Sequence, residues 1–476
     1  MNALRPLPRG VALACAVLLG ACAQMPPREE LPQPKPAQSY ASAQSFAAPA
    51  ASWPVERWWT VYGDTQLERL VDEALADSPS VAAAQARLAR AQAQAQVTRA
   101  NGLPQVSANA SITEQRQSEN YLSPPSVTPQ GMHDYGRATL DFAWDLDLWG
   151  RTRASLAAAT SEADATAADL AQARLILSTS VASSYADLAR AFAALDTAQA
   201  ALDVRSKTAD LFQQRYANGL ETLASVRQVD ARRASAQADL LSVQEQIALL
   251  RNRIAALLGA GPDRGLAIER PGVRLDRPYS LPPQLAADLL GRRPDIGAAR
   301  LRAQAAAQRI DAARAAFYPN VNLLAFVGVQ SLGLDVLGKR GSTVASVGPA
   351  ISLPIFDGGR LRGQLRGANA EYAEAVANYD RTLQQALQEV ADAAISQRAL
   401  GGQLDSVTQA VEASREAWRI QNNRYSGGLS TYLDVLNAED TLLANLRAQS
   451  DLQSRAFALD VALVRALGGG YGASAS

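Results

Sequence analysis

From Arg151 to Asn218 the chain contains neither proline nor glycine, and no other segment limits its fold so severely. Those two residues are the usual helix breakers. The segment therefore predicts one continuous helix, on the order of 100 Å long at ~1.5 Å per residue. Such helices are rare in globular cores and normal in coiled coils. Its apolar positions Val181, Tyr185, Leu188, Phe192, Leu195 and Leu202 fall in steps of 4, 3, 4, 3 and 7, a heptad seam. Leu383, Leu387, Val390 and Ala394 repeat that spacing further on. Elsewhere on these stretches alanine dominates, which lets neighbouring helices approach closely over broad faces.

The chain is written twice. Arg215-Tyr216-Ala217-Asn218-Gly219-Leu220 returns as Arg424-Tyr425-Ser426-Gly427-Gly428-Leu429, an offset of 209 residues. The same offset carries Gly150-Arg151 onto Gly359-Arg360 and Leu258-Gly259 onto Leu467-Gly468. Upstream, Pro79-Ser80-Val81 matches Pro294-Asp295-Ile296, and Leu103-Pro104-Gln105-Val106 matches Tyr318-Pro319-Asn320-Val321, now at an offset of 215. The difference must fall between, in 107–149 against 322–358, where a loop of variable length belongs. Self-similarity of this kind marks a repeated structural unit. The repeats span 60–260 and 284–470, joined by a Pro-, Gly- and Arg-rich linker at 261–283, with a short tail at 471–476.

Each repeat reads helix, strand, loop, strand, very long helix, helix. Pro79 to Ala100 lacks a breaker after Pro79 and follows Ser78 as N-cap. Val106, Ala108, Ala110 and Ile112 then alternate with Ser107, Asn109, Ser111 and Thr113, the period of a strand. A return strand places Leu140, Phe142, Trp144, Leu146 and Leu148 on one face. Arg137, Thr139, Asp141, Asp145 and Asp147 share the other, with His133 in the loop between the strands.

The N-terminus has the order of a secretory leader at residues 1–21: Arg5 and Arg9, then the short apolar run Val11–Leu19. Leu19-Gly20-Ala21-Cys22 resembles a bacterial lipoprotein box, whose cysteine is lipidated and becomes the mature N-terminus. Residues 22–59 then form an extended, Pro- and Ala-rich tether leading into the first repeat. Ala23, rather than Asp, follows the cysteine, which predicts an outer-membrane destination. The cysteines are Cys15 and Cys22, and Cys15 leaves with the leader, so no disulfide forms. His133 is the single histidine, so a His/Cys metal site is excluded, and no cofactor beyond the lipid on Cys22 is expected.

The formal net charge is zero, which gives nucleic acid no basic surface to bind. No Gly-x-Ser-x-Gly elbow or phosphate-binding loop is present, and the carboxylates lie scattered along helix faces, so the chain is not read as an enzyme. Past the leader no stretch approaches the ~20 apolar residues of a membrane helix. A membrane crossing therefore requires a β-barrel, and four strands cannot close one without further copies of the chain.

Together these features resemble the TolC-like outer membrane factor family of tripartite efflux systems, in its lipoprotein branch. The resemblance rests on Trp58-Trp59 with Tyr62, Asp64 and Leu67, the repeated Arg-Tyr-x-x-Gly turns, and the ending Ala466-Leu467-Gly468-Gly469-Gly470. It implies a mainly α fold with a small β part. In a homotrimer, a long antiparallel helical barrel would be completed by four transmembrane strands per chain as a twelve-stranded β-barrel. It also implies a periplasmic adaptor (membrane fusion) protein and an inner-membrane pump of the resistance-nodulation-division type. The cargo would be whatever that pump delivers, drugs or other toxic compounds. Two other readings share these residues, a duct for protein secretion and a structural coiled-coil lipoprotein.

The resemblance further assigns the two turns, with Arg215, Tyr216, Gly219, Arg424 and Gly428, to adaptor docking at the periplasmic end. It assigns Tyr425, Asp434 and Asn437 to a gate that opens like an iris, with Asp434 and Asn437 three apart on one helix face. Asp141, Asp145 and Asp147 are candidate pore-lining acids.

Overall fold

A computed structural model of the chain describes residues 25–41, 44–46, 52–118, 120, 126–273 and 285–472. The leader and Cys22 lie outside the described residues, as do residues 274–284 of the linker region.

The chain is mainly helical with one small sheet. Helices α1 (Thr65–Asp77) and α2 (Pro79–Ala100) lead into strands β1 (Gln105–Gln115) and β2 (His133–Asp145). Helices α3 (Arg151–Ala217) and α4 (Leu223–Leu257) follow, then a short α5 (Asp263–Leu266) in the linker. The order recurs as α6 (Leu285–Arg292), α7 (Pro294–Ala315), β3 (Asn320–Leu332), β4 (Thr343–Ser352), α8 (Arg360–Ser426) and α9 (Tyr432–Ala466). Corresponding helices have equal lengths: 22 residues for α2 and α7, 67 for α3 and α8, 35 for α4 and α9. The length difference between the repeats falls in the strand connections, 116–132 against 333–342.

The strands form one antiparallel sheet in the order β1-β2-β3-β4. Register resolves its faces. Val106 pairs with Phe142, Leu140 with Val327, Leu323 with Pro349, and Val321 with Ile351, so these side chains share one face. That face is apolar across both repeats. Val106, Leu140, Val327, Val347 and Ile351 on it are all exposed. The opposite face carries Asn109, Thr139, Asp141 and Asn322, with Phe326 under the Arg137 guanidinium. Strands β1 and β4 are the two edges, and no strand pairs their outer sides among the described residues.

Two positions differ from the sequence reading. Strand β2 stops at Asp145, so Leu146, Asp147 and Leu148 lie beyond it. The Asp147 carboxylate instead accepts the backbone N–H groups of Thr152 (3.0 Å) and Arg153 (2.9 Å), satisfying the orphan donors of α3. The alternating pattern continues past the strand because a capping acid happens to keep the period. His133 is the first residue of β2 rather than a loop residue, its ring Nε2 lying 2.8 Å from the Gln130 carbonyl.

Contacts divide the chain into two compact units, and both repeats contribute to each. One holds the sheet, with Leu88–Thr166 and Ala299–Tyr379. The other comprises Lys35–Arg87, Ala167–Ala298 and Asp380–Ser476. Its core gathers Trp58, Tyr62, Leu67 and Leu70 against the seam residues Val181, Tyr185 and Leu188 of α3, with Ile254 and Phe457. Asp64 sits in this core at 7% exposure because every oxygen is engaged. It caps α1 through Gln66 N and Leu67 N and accepts from Tyr185 Oη (2.8 Å) and Gly272 N (2.8 Å). The linker is packed too: Ile268 is fully buried, and Arg264 grips Glu73 through two hydrogen bonds.

The tether is laid along α8. Glu29 accepts from Asn369, Lys35 N donates to Asp380, Tyr40 accepts from Gln384 and Ser45 O accepts from Arg398. Arg293, 5% exposed, holds α7 and α8 through Asp295 (2.7 Å) and Glu389 (2.8 Å).

The triple glycine after α9 has a steric cause. Gly468, Gly469 and Gly470 all have positive φ, and a Cβ on Gly470 would overlap the Val55 carbonyl and Glu56 N. Gly470→Ala adds that collision to left-handed backbone strain, so it is expected to destabilise this unit by at least ~2 kcal/mol. A thermal unfolding midpoint equal to that of the parent protein would refute the steric account.

Candidate functional site

Helices α3 and α8 end in the same turn. After α3, Leu220 N donates to Arg215 O (2.8 Å) and Gly219 N to Tyr216 O (2.9 Å), with Gly219 at φ 72°. After α8, Leu429 N donates to Arg424 O (2.8 Å) and Gly428 N to Tyr425 O (3.0 Å), with Gly428 at φ 69°. This pair of hydrogen bonds around a left-handed glycine satisfies the last helical carbonyls. Thr222 and Thr431 then cap the returning helices α4 and α9. The repeated glycines are needed for the backbone, and the residues beside them are free for contacts.

Those residues are apolar and uncovered. Tyr216, Leu220 and Leu223 at the first turn, and Leu429 and Leu433 at the second, are all exposed, Leu429 at 73%. The sequence reading named the glycines and missed these leucines, although Leu220 and Leu429 occupy one register position of the repeat.

Beneath the turns the two hairpins are tied together. Tyr425 Oη donates to Glu221 (3.4 Å), Arg215 lies over the Tyr425 ring at 5.5 Å and approaches Glu221 at 3.7 Å. Tyr432 packs on both Tyr425 and Phe212, with ring centroids 5.2 and 4.2 Å apart. Burial, and after it Glu439, keeps the Tyr432 hydroxyl protonated, its pKa pushed up to about 12. Of the three expected gate residues, only Tyr425 enters this cluster. Asp434 and Asn437 are exposed on α9. The Asp434 carboxylate accepts from Thr431 N (3.0 Å) and Thr431 Oγ1 (2.7 Å), a capping box. Those bonds hold it below the usual carboxylate range.

Next to the cluster lies a charged knot that the sequence did not reveal. Glu439, 5% exposed, lies 3.7 Å from Arg205 Nε. Arg205 also reaches Asp440 at 2.8 Å, and Arg232 reaches the same carboxylate at 2.8 Å. The knot joins α3, α4 and α9. Desolvation raises the Glu439 pKa above its ordinary value, Arg205 opposes the rise, and Asp440 adds to it.

In the sheet-bearing unit, Asp141 accepts from Asn109 (2.8 Å) and Thr139 (2.8 Å) on the polar face, and Asp145 pairs with Arg151 at 3.2 Å. Asp147 is occupied as a helix cap and does not share that face.

A long-helix duplication bearing a sheet with one continuous apolar face is the geometry the comparisons match. The model of the outer membrane efflux protein family matches twice, over residues 70–260 and 285–469. The chain belongs to that family. It is 39% identical to the fusaric acid resistance protein FusA of Burkholderia cepacia over 368 residues, 75% of this chain and 68% of that protein. It is 33% identical to the multidrug resistance outer membrane protein MdtP of Escherichia coli, over 89% of this chain and 88% of that protein. Among solved structures, the outer membrane protein VceC of Vibrio cholerae superposes with a TM-score of 0.84 at 51% identity. That match covers 88% of this chain and all of the VceC chain. Members of this family are outer-membrane efflux channels, and this chain is an outer-membrane efflux channel subunit. The apolar sheet face is then the lipid side of a barrel wall.

Proposed function

We propose that three copies of the chain form a passive duct that carries small toxic molecules from a periplasmic adaptor and an inner-membrane pump to the exterior. The carrying observation is the sheet: its edges β1 and β4 have no partner strand among the described residues, and no open edge is tolerated in lipid. Pairing β4 of one copy with β1 of the next closes the ring, and three copies supply twelve strands. Strands of 10–13 residues are long enough to cross at the usual tilt. No reaction belongs to the subunit, because the pump supplies the energy. The relatives named for drug and fusaric acid resistance favour small-molecule efflux over a protein-secretion duct.

The exposed leucines of the two turns are the adaptor contact, joined by Tyr216 and the basic Arg215 and Arg424. The Tyr425–Glu221 bond and the Phe212–Tyr432–Tyr425 stack hold the resting hairpins together. Adaptor binding at the turns separates them, and Asp434 and Asn437 ring the narrow opening in threefold repetition. Cys22 carries a covalent lipid that adds an anchor to the barrel.

Unheated gel migration and cross-linking of the detergent-solubilised outer-membrane fraction test the assembly. The expected species is a trimer that dissociates on boiling. Cys22→Ser is expected to abolish the lipid mass increment while leaving the barrel trimeric. A soluble monomer with the native cysteine would sink the duct and favour the coiled-coil lipoprotein.

A further inference from the structure

Both long helices begin against their own dipole. Arg151 and Arg153 open α3, Arg360 and Arg362 occupy the same positions of α8, and neither helix has an acid in its first turn. A helix N-terminus carries partial positive charge, so cations there are disfavoured. The acids beside these ends are already committed. Asp145 pairs with Arg151, Asp147 with Arg153, and Asp357 caps α8 through Gly359 N and Leu361 N. Arg362 and the nearby Arg366 are exposed and make no ion pair among the described residues. With the neighbouring acid committed to the cap, these two exposed guanidinium groups are available to an anion from outside the chain.

The surroundings say what kind. By register, Gln105, Asp145, Asn320 and Ser352 all lie at the same end of the strands, and α3 and α8 follow from that end. Large apolar side chains stand uncovered there: Phe356 at 90% and Trp149 at 51% exposure, with Leu148 and Ile355. Trp149 stacks on Tyr318 at 4.7 Å and 14° and turns its Nε1 to the Pro319 carbonyl (2.8 Å), while Trp144 donates to Gly102 O. Rings with one satisfied polar atom and one bare face mark the boundary between acyl chains and headgroups. Arg362 and Arg366 lie within ~9 Å of the start of α8, the depth of a headgroup layer, which long arginine side chains can reach.

We infer that this junction is a phospholipid-reading belt, in which Arg362 and Arg366 bind the phosphates of anionic phospholipids in the leaflet facing the helices. The inference rests on the barrel reading of the sheet. Trp149, Tyr318 and Phe356 fix the depth, and the arginines add selectivity for negative headgroups. Attraction of one basic residue to an anionic membrane surface corresponds to roughly fivefold in partitioning.

The test uses the full-length protein reconstituted in phosphatidylethanolamine vesicles with and without phosphatidylglycerol, with retained lipid counted per chain by native mass spectrometry. The parent protein is expected to enrich phosphatidylglycerol over its bulk share, and Arg362→Gln with Arg366→Gln to return the retained lipid to about the bulk share. Arg87→Gln with Arg90→Gln removes two exposed arginines elsewhere on α2 and controls for charge alone. Equal enrichment in the Arg362/Arg366 variant, or an equal loss in the control, overturns the belt. Parent protein that inserts in both vesicles without preference overturns the belt and spares the barrel. Protein that enters neither vesicle overturns the barrel reading and the belt with it.

Discussion

Arg205→Ala is expected to loosen the hairpin ends by roughly 3 kcal/mol, because it strands a buried carboxylate. Glu439 is nearly inaccessible, and Arg205 is the cation nearest to it, while Asp440 adds a second negative charge. Limited proteolysis near residues 215–222 and 424–431, with hydrogen exchange along α3 and α9, reads the change directly. Replacing the pair by apolar residues, Arg205→Met with Glu439→Leu, should recover most of the loss, since a buried ion pair is rarely more stable than packed hydrocarbon. An Arg205→Ala protein as resistant as the parent would refute the dependence of Glu439 on that guanidinium.

The same carboxylate predicts a pH dependence. Its folded pKa is raised by burial above the ordinary value of 4.5. A group raised in this way contributes stability that is complete below the ordinary value and is lost as pH rises through the folded one. The groups facing it are Arg205, Arg232, Asp440 and the Tyr432 hydroxyl, which burial keeps protonated. Protection of the hairpin ends should therefore fall as pH rises above the ordinary carboxyl value of 4.5. Glu439→Gln should flatten the profile, and an unchanged slope in that variant would assign the pH dependence elsewhere.

Opening the gate is expected to have the second large effect. Asp434→Ala with Asn437→Ala should raise single-channel conductance in planar bilayers several-fold and weaken cation preference, since a ring of carboxylates at a constriction attracts cations and narrows the path. Asp434 also closes a capping box, so its loss costs about 1 kcal/mol of helix stability by itself. Asp434→Asn separates the two roles, because it keeps an acceptor for Thr431 while removing the charge. Tyr425→Phe removes the bond to Glu221 and should shorten closed times without altering selectivity. Conductance and selectivity unchanged in the double variant would remove Asp434 and Asn437 from the constriction.

Much of this architecture was written in one dimension. A stretch without breakers between Arg151 and Asn218 can only be a long helix, and a heptad seam at Val181, Tyr185 and Leu188 can only be buried along its length. Repeat offsets announced two equivalent turns, since a left-handed helix cap needs Gly219 and Gly428 wherever it occurs. Alternation identified β1 and most of β2. These are properties of neighbours in sequence, set by backbone sterics and side-chain period.

Other features depended on residues far apart. Asp147 keeps the strand's alternation yet caps α3, because the chain turns at Gly150 and brings backbone donors to it. Glu439 looks like any helix acid until Arg205, from a helix 234 residues earlier, meets it in a dry interface. The three C-terminal glycines, readable only as a motif, are required because Val55 and Arg292 press against their backbone. The sequence by itself determined the helices, the duplication, the turns and the need for partner strands. Tertiary structure decided which acids are free, which are caps and which are buried, because desolvation and hydrogen bonding act through space and leave no period in the chain.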